Sequence, residues 1–157
     1  MMNVKFCRID DRLIHGQVVT TWVNVHKIDQ IIILSEAVAN DEIQKSVLKM
    51  SAPTNITLHV FSPKKFMEII EKNPIKKKTM LLFNSVYDVE EIIQNGFPME
   101  KLNIGGMRSN PERQKITKAV SLTSDEKEVF KRIMNQNVDV EIQMVPNEQV
   151  VLLKEVI

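Results

Sequence analysis

The stretch Arg8-Ile-Asp-Asp-Arg-Leu-Ile-His-Gly-Gln-Val18 holds two carboxylates, two guanidinium groups and one imidazole. A connection between a strand and a helix commonly takes about 2–6 residues and needs no such density of charge. His15 is the group in it best suited to carry chemistry, because a neutral imidazole is a competent nucleophile at cellular pH. It directly precedes Gly16, where a helix is expected to begin. The unpaired N–H groups and the dipole of a helix start favour an anion. A phosphoryl group on the ring would lie over those N–H groups, which makes Gly16 and Gln17 the expected phosphate-binding positions. Gly16, lacking a Cβ, lets the backbone come close. Arg12 is placed to neutralise phosphoryl oxygens during transfer. Asp10 and Asp11 are expected to support the site, either by holding Arg12 or by fixing the imidazole tautomer. The competing reading is a solvated loop histidine beside surface ion pairs.

The other histidines offer less. His26 lies eleven residues beyond His15. If one helix held both, they would stand about 16 Å apart and could not share a metal. His59 sits inside a strand pattern and is expected to be structural. No spacing supports a metal site. Cys7 is the single cysteine, so a thiolate zinc site and an internal disulfide are excluded and a reducing compartment fits.

Composition removes further classes. Glycine numbers 4 among 157 residues, well under the usual share of about 7%. The four positions cannot build G-x-G-x-x-G or G-x-x-x-x-G-K-[ST], so neither glycine-rich nucleotide loop is present. A formal net charge of +1 gives no basic field for a nucleic acid. The run Lys76–Lys78 reads as a solvated loop lip. No apolar run approaches the ~18 residues of a membrane span, and the first residues lack a signal core. A cytoplasmic protein is expected.

The elements that must position the loop follow from periodicity. Short apolar runs at Val4–Ile9, Ile31–Leu34, Ile56–Phe61, Thr79–Phe83, Leu102–Ile104, Ile116–Leu122 and Val138–Val145 read as strands. Helices are expected from Gly16 to about Val25, from an N-cap at Asn40, from Ser62-Pro63, over Val86–Asn95, behind a Thr123/Glu126 capping box, and over Asn147–Ile157. In the second of these Ile43, Val47, Leu48 and Met50 recur at helical spacing, and no apolar stripe stands out as surplus to the core. The alternation predicts one α/β domain over residues 1–157: an open, mostly parallel sheet of about seven strands with helices on both faces. The His15 loop then falls at the carboxyl edge of the sheet, where such folds bind ligands.

These residues closely resemble the mannose/fructose/sorbose family of IIB components of the bacterial phosphoenolpyruvate-dependent sugar phosphotransferase system. The resemblance rests on Arg8 to Val18 with Trp22 behind it. It continues through Asn40-Asp41-Glu42-Ile43, Ser51-Ala52-Pro53, Asn103-Ile-Gly-Gly-Met107, Arg113-Gln-Lys-Ile-Thr-Lys-Ala-Val and Met144-Val-Pro146. It implies that His15 is the phosphorylated residue, through Nδ1, and that Arg12 stabilises the phosphoryl charge. It implies a phosphohistidine donor on a separate IIA protein, and a sugar acceptor bound by the membrane IIC and IID subunits. The chain would then associate peripherally with the inner face of the membrane. No cofactor, metal or nucleic acid is implied.

Four further residues are candidates for the site's edge. Gly105 and Gly106 should end a strand, either keeping the edge low beside His15 or making a turn. Asn84 and Ser85 follow another strand, with helix capping the expected role of Ser85. Trp22 is expected to pack its helix, and Cys7 to be buried and inert. Two other functions remain at this stage. A histidine-phosphatase-like phosphohydrolase would offer Arg-His-Gly where this chain has Ile14-His15-Gly16. A non-enzymatic module would use the charged loop as a docking surface.

Overall fold

The uninterrupted apolar runs become the inner strands of one sheet. A computed structural model describes residues 2–157. In chain order it has β1 (Val4–Asp10), α1 (Val18–His26), β2 (Gln30–Leu34), α2 (Glu36–Ala39), α3 (Glu42–Met50), β3 (Thr57–Phe61), α4 (Pro63–Lys72), β4 (Thr79–Phe83) and α5 (Val86–Gln94). Then come β5 (Lys101–Gly106), β6 (Gln114–Lys115), β7 (Ser121–Leu122), α6 (Ser124–Met134), β8 (Asp139–Ile142), β9 (Val151–Leu152) and a 3-10 turn at Leu153–Glu155. The seven-stranded sheet has the order β3-β2-β4-β1-β5-β8-β9, parallel except for β9. All five residues of β4 are buried, as a strand covered on both faces requires.

Side-chain alternation divides the core. Ile31 and Ile33 of β2 join Val19 and Val23 of α1, Val38 of α2 and Leu48 of α3 on one face. Ile32 and Leu34 join Phe66 of α4, Val89 and Ile92 of α5 and Val129, Phe130 and Ile133 of α6 on the other. β1 and β5 are neighbours whose chains leave in opposite directions. β1 leads through α1 to β2, and β5 leads through α6 to β8, on the opposite face. Their carboxyl ends therefore form the topological switch point, where α/β sheets open a crevice.

Two predicted helix starts hold in detail. Ser62 caps α4 ahead of Pro63, and Thr123 and Glu126 form a reciprocal capping box at α6. Other expectations are corrected. Asn40 does not cap the following helix; it ends the additional short helix α2, and Asp41 caps α3 by accepting from the Gln44 N–H. Ile116–Leu122 is not a single strand. The Thr117 N–H bonds the Val120 carbonyl, which folds the segment into the β6–β7 hairpin. The last helix over Asn147–Ile157 is absent. Gln143 donates from its amide to the carbonyls of Pro146 and Glu148, and the turn it closes sends Val151 and Leu152 back along the free edge of β8. This also shortens the strand expected over Val138–Val145 to Asp139–Ile142. Finally, α3 buries only Leu48. Ile43, Val47 and Met50 are 78%, 55% and 85% exposed, so this helix does carry an apolar stripe surplus to the core.

Candidate functional site

Alternation along β1 puts Phe6, Arg8 and Asp10 on the face that α1 covers, with Cys7 and Ile9 in the opposite core. Arg8 is 1% exposed. A buried guanidinium must have its donors satisfied, and this one does. One terminal nitrogen donates to Asn103 Oδ1 at 2.6 Å and to the Gln143 carbonyl at 3.2 Å. The other donates to Asp10 Oδ2 at 3.2 Å and to the Met144 carbonyl at 3.1 Å. The Trp22 ring lies beneath, 5.4 Å from the guanidinium carbon, and Trp22 Nε1 also donates to the Met144 carbonyl. Phe6, Trp22 and His26 continue the stack. Burial lowers the Arg8 pKa from the ordinary arginine value, and Asp10 opposes that shift.

Asp10 closes β1 and is also 1% exposed. Its Oδ1 accepts from the Arg12 backbone N–H at 3.0 Å, and its carbonyl accepts from the Leu13 N–H. The turn forces Leu13 to a φ of 57°. That conformation is unfavourable for leucine, and its burial among the α1-side core residues holds it there. The chain thereby returns His15 to Asp10, with Nε2 3.0 Å from Oδ2. A carboxylate accepts only, so it selects the tautomer with the proton on Nε2 and leaves the lone pair on Nδ1. Gly16 follows at a φ of 51°, where a side chain would be strained.

Asp11 faces the other way. Its Oδ2 accepts from Arg113 at 2.8 Å and from the Arg108 backbone N–H at 2.7 Å. Arg113 grips Glu126 with two more bonds, at 2.9 and 2.8 Å, and donates to the Arg108 carbonyl. One guanidinium therefore ties the His15 loop, the segment after β5 and the start of α6 together. The surrounding acids hold the Arg113 proton more firmly than usual, against the cost of burial.

Several predicted positions meet here and others move. Of the two acids, Asp10 is the one in contact with the His15 ring, at Nε2. Neither acid holds Arg12 by a side-chain ion pair; among the described residues its exposed guanidinium has none. α1 begins at Val18 with Gln17 as N-cap, two residues later than expected, because Gly16 is in the left-handed conformation. No side chain caps this helix and no acid occupies its first turn. Ser85 caps α5 by accepting from the Tyr87 N–H. Asn84 stands beside it beyond β4, and no hydrogen bond joins it to Asp10 or His15 among the described residues. Gly105 neither ends a strand nor lowers the edge. It lies within β5, and a Cβ there would fall 2.0 Å from the Arg8 guanidinium. Gly106 ends β5 and accepts from the Asp11 N–H; it pairs with Asp10 across a register shift that leaves Gly105 without a partner on β1.

Arg8 and Arg113 are the residues that sequence reasoning missed. The signal for Arg8 was available: a charge in an apolar strand pattern, two residues from Asp10 and so on its face. Arg113 opens one of the fragments that carry the resemblance, but local spacing gave no sign of its partners, which lie 102 and 13 residues away. Cys7 is buried, its thiol pushed up to about 12, which makes it unreactive. Among the described residues no cluster of three or more His, Cys, Asp or Glu side chains suits a metal.

The family model of the PTS system sorbose subfamily IIB component matches residues 4–157. The chain is 36% identical over 149 residues to the PTS system fructose-specific EIIB component of Bacillus subtilis, covering 94% of this chain and 91% of that protein. It is 34% identical to the sorbose-specific EIIB component of Lacticaseibacillus casei, with 94% and 90% covered. The crystal structure of the IIBSor domain of the sorbose permease from Klebsiella pneumoniae superposes with a TM-score of 0.90 at 32% identity, covering 98% of this chain and 95% of that one.

Proposed function

Because the chain belongs to the sorbose-subfamily IIB components of the sugar phosphotransferase system, we propose that His15 is the residue through which it carries a phosphoryl group to sugar. Components of this family work with IIA proteins and with membrane IIC and IID subunits. The observation that carries the assignment is the 3.0 Å contact between His15 Nε2 and Asp10 Oδ2. It leaves Nδ1 as the nucleophilic nitrogen. Among the described residues no helix is long and apolar enough to cross a membrane. On this reading the sugar is reached through the permease subunits.

In the first step the phosphoryl group leaves a histidine nitrogen of a IIA donor and bonds to His15 Nδ1. The donor nitrogen keeps the electron pair of the broken bond, and no proton changes hands at Nδ1. Arg12, exposed and without a side-chain ion pair among the described residues, draws charge from the equatorial phosphoryl oxygens. Gly16, Gln17 and the uncapped first turn of α1 offer backbone N–H groups to the same anion. In the second step a sugar hydroxyl attacks phosphorus, its proton passes to solvent, the P–N bond breaks, and Nδ1 recovers its lone pair. Nothing in either step calls for a nucleotide or a metal.

The test is phosphorylation from phosphoenolpyruvate through the general phosphotransferase proteins and a IIA partner. The unaltered chain should take up one acid-labile phosphoryl group, and His15→Ala should take up none. An acid-stable adduct, or labelling that survives His15→Ala, refutes the assignment.

A further inference from the structure

Two groups share one oxygen of Asp10. Oδ2 contacts Arg8 at 3.2 Å and His15 Nε2 at 3.0 Å, and the Arg8 and Asp10 side chains are almost fully buried. We infer that Arg8 is a positioning residue for phosphoryl transfer, whose buried charge keeps the Asp10–His15 pair one proton short so that Nδ1 stays bare. The inference rests on His15 being the carrier.

The argument is one of proton counting. With Arg8 present, the Asp10 carboxylate has a permanent counter-ion and needs no proton from His15. Without it, a buried carboxylate has two ways to be neutralised. Asp10 can remain charged beside an imidazolium, or it can be protonated and donate to Nε2 of a neutral ring. In the first arrangement both ring nitrogens carry protons. In the second the ring's single proton must sit on Nδ1. Either form blocks the nitrogen that has to form the bond to phosphorus, so one added proton switches the site off regardless of where in the pair it resides.

Other charges around the pair do not replace Arg8. On the loop, Arg12 gives Asp10 its backbone N–H while its side chain is exposed. Asp11 is engaged by Arg113, which is held in turn by Glu126 of α6. Arg108, from the segment after β5, has a side chain 68% exposed near Asp11. Beyond β8, the Glu148 carboxylate accepts from the Met144 backbone N–H. His26 of α1 is stacked on the Phe6 and Trp22 rings. Among the described residues Arg8 is the one arginine or lysine whose side chain contacts Asp10. Gly105, Asn103 and the carbonyls of Gln143 and Met144 hold it in place.

The experiment follows the rate of His15 phosphorylation by a phosphorylated IIA protein as a function of pH. In Arg8→Gln the acid limb of the profile should move upward by about 1–3 pH units. Arg8→Lys, which restores the charge, should bring it back toward the original position. A folded Arg8→Gln protein whose acid limb has not moved overturns the inference, as does a limb shifted equally in Arg8→Lys. A purely structural role would lower the rate at every pH without moving the limb. Should Arg8→Gln fail to fold, 15N NMR of His15 in the unaltered protein decides: a bare Nδ1 and a protonated Nε2 at neutral pH are required, and a proton on Nδ1 overturns the inference. Labelling that survives His15→Ala would instead bring down the carrier assignment itself.

Discussion

Replacing Gly105 by alanine tests the support beneath the site. The added Cβ would lie 2.0 Å from one terminal nitrogen of Arg8 and 2.1 Å from its guanidinium carbon. Ordinary contact needs a retreat of about 1.5 Å. At the surface the end of an arginine side chain would swing away at little cost. Here Arg8 is 1% exposed, lies on Trp22 and makes four hydrogen bonds, to Asn103, Asp10, Gln143 and Met144. A move of that size exceeds the tolerance of hydrogen-bond geometry, so the bonds to Asp10 and Asn103 break. Separating a buried ion pair costs about 3–5 kcal/mol, against a typical total stability of about 5–15 kcal/mol. For a chain of this length each kcal/mol lowers the unfolding midpoint by about 2–4 °C. Gly105→Ala should therefore remain folded at 25 °C but melt roughly 6–20 °C lower. The assay is thermal unfolding followed by circular dichroism, beside the phosphorylation rate at neutral pH, which should also fall. A midpoint within about 2 °C of the original would refute the reasoning. It would mean that Arg8 has room to move without losing its partners.

Three further outcomes follow from the same geometry. Arg12→Ala should slow transfer by about 10²–10³, the usual cost of removing a group that stabilises transition-state charge, with the unfolding midpoint unchanged; single-turnover transfer from a phosphorylated IIA protein measures it. Arg113→Ala strands Asp11 and Glu126 and should destabilise the chain by about 1–3 kcal/mol in urea unfolding, and Arg113→Lys should recover only part because a lysine cannot form the two-pronged contact with Glu126. Asp88 in α5 is pushed up to about 6 by burial. The folded chain then binds more protons at Asp88 than the unfolded chain as pH rises from about 4 to 6, so this carboxylate costs stability above pH 6. Asp88→Asn should raise stability at pH 7–8 by about 1–3 kcal/mol and give no gain below pH 4, as urea midpoints across that range would register.

Elements whose pattern is set locally were legible. The inner strands β2 and β4 are short apolar runs, and α4 and α6 announce themselves by Ser62-Pro63 and Thr123/Glu126. The elements misread are those that distant partners decide. Asn147–Ile157 has residues that suit a helix, yet Val151 and Leu152 pair with the edge of β8, because an unpaired strand edge satisfies a returning segment's backbone. Ile43, Val47 and Met50 have core spacing, yet they stand exposed, because α3 lies over the β3 edge of the sheet with only Leu48 turned inward. The candidate site divides in the same way. His15, Asp10 and Arg12 were nominated by the density of charge in one loop, whereas the partners of Asp11 and the function of Gly105 were not.

The sequence by itself determined which chemistry is available: an imidazole, two acids and an arginine beside Gly16, with no glycine loop for a nucleotide and no thiolate set for a metal. Residue types and local spacing suffice for that, because they set what can ionise, attack or bind. Only the tertiary structure decided how those groups are paired. Asp10 serves His15 and Arg8 rather than the Arg12 side chain, and Asp11 serves Arg113. Arg8 meets Asn103, Gln143 and Met144, which are 95, 135 and 136 residues away. Such contacts depend on strand order and register, and sheet pairing joins segments whose separation along the chain carries no local trace.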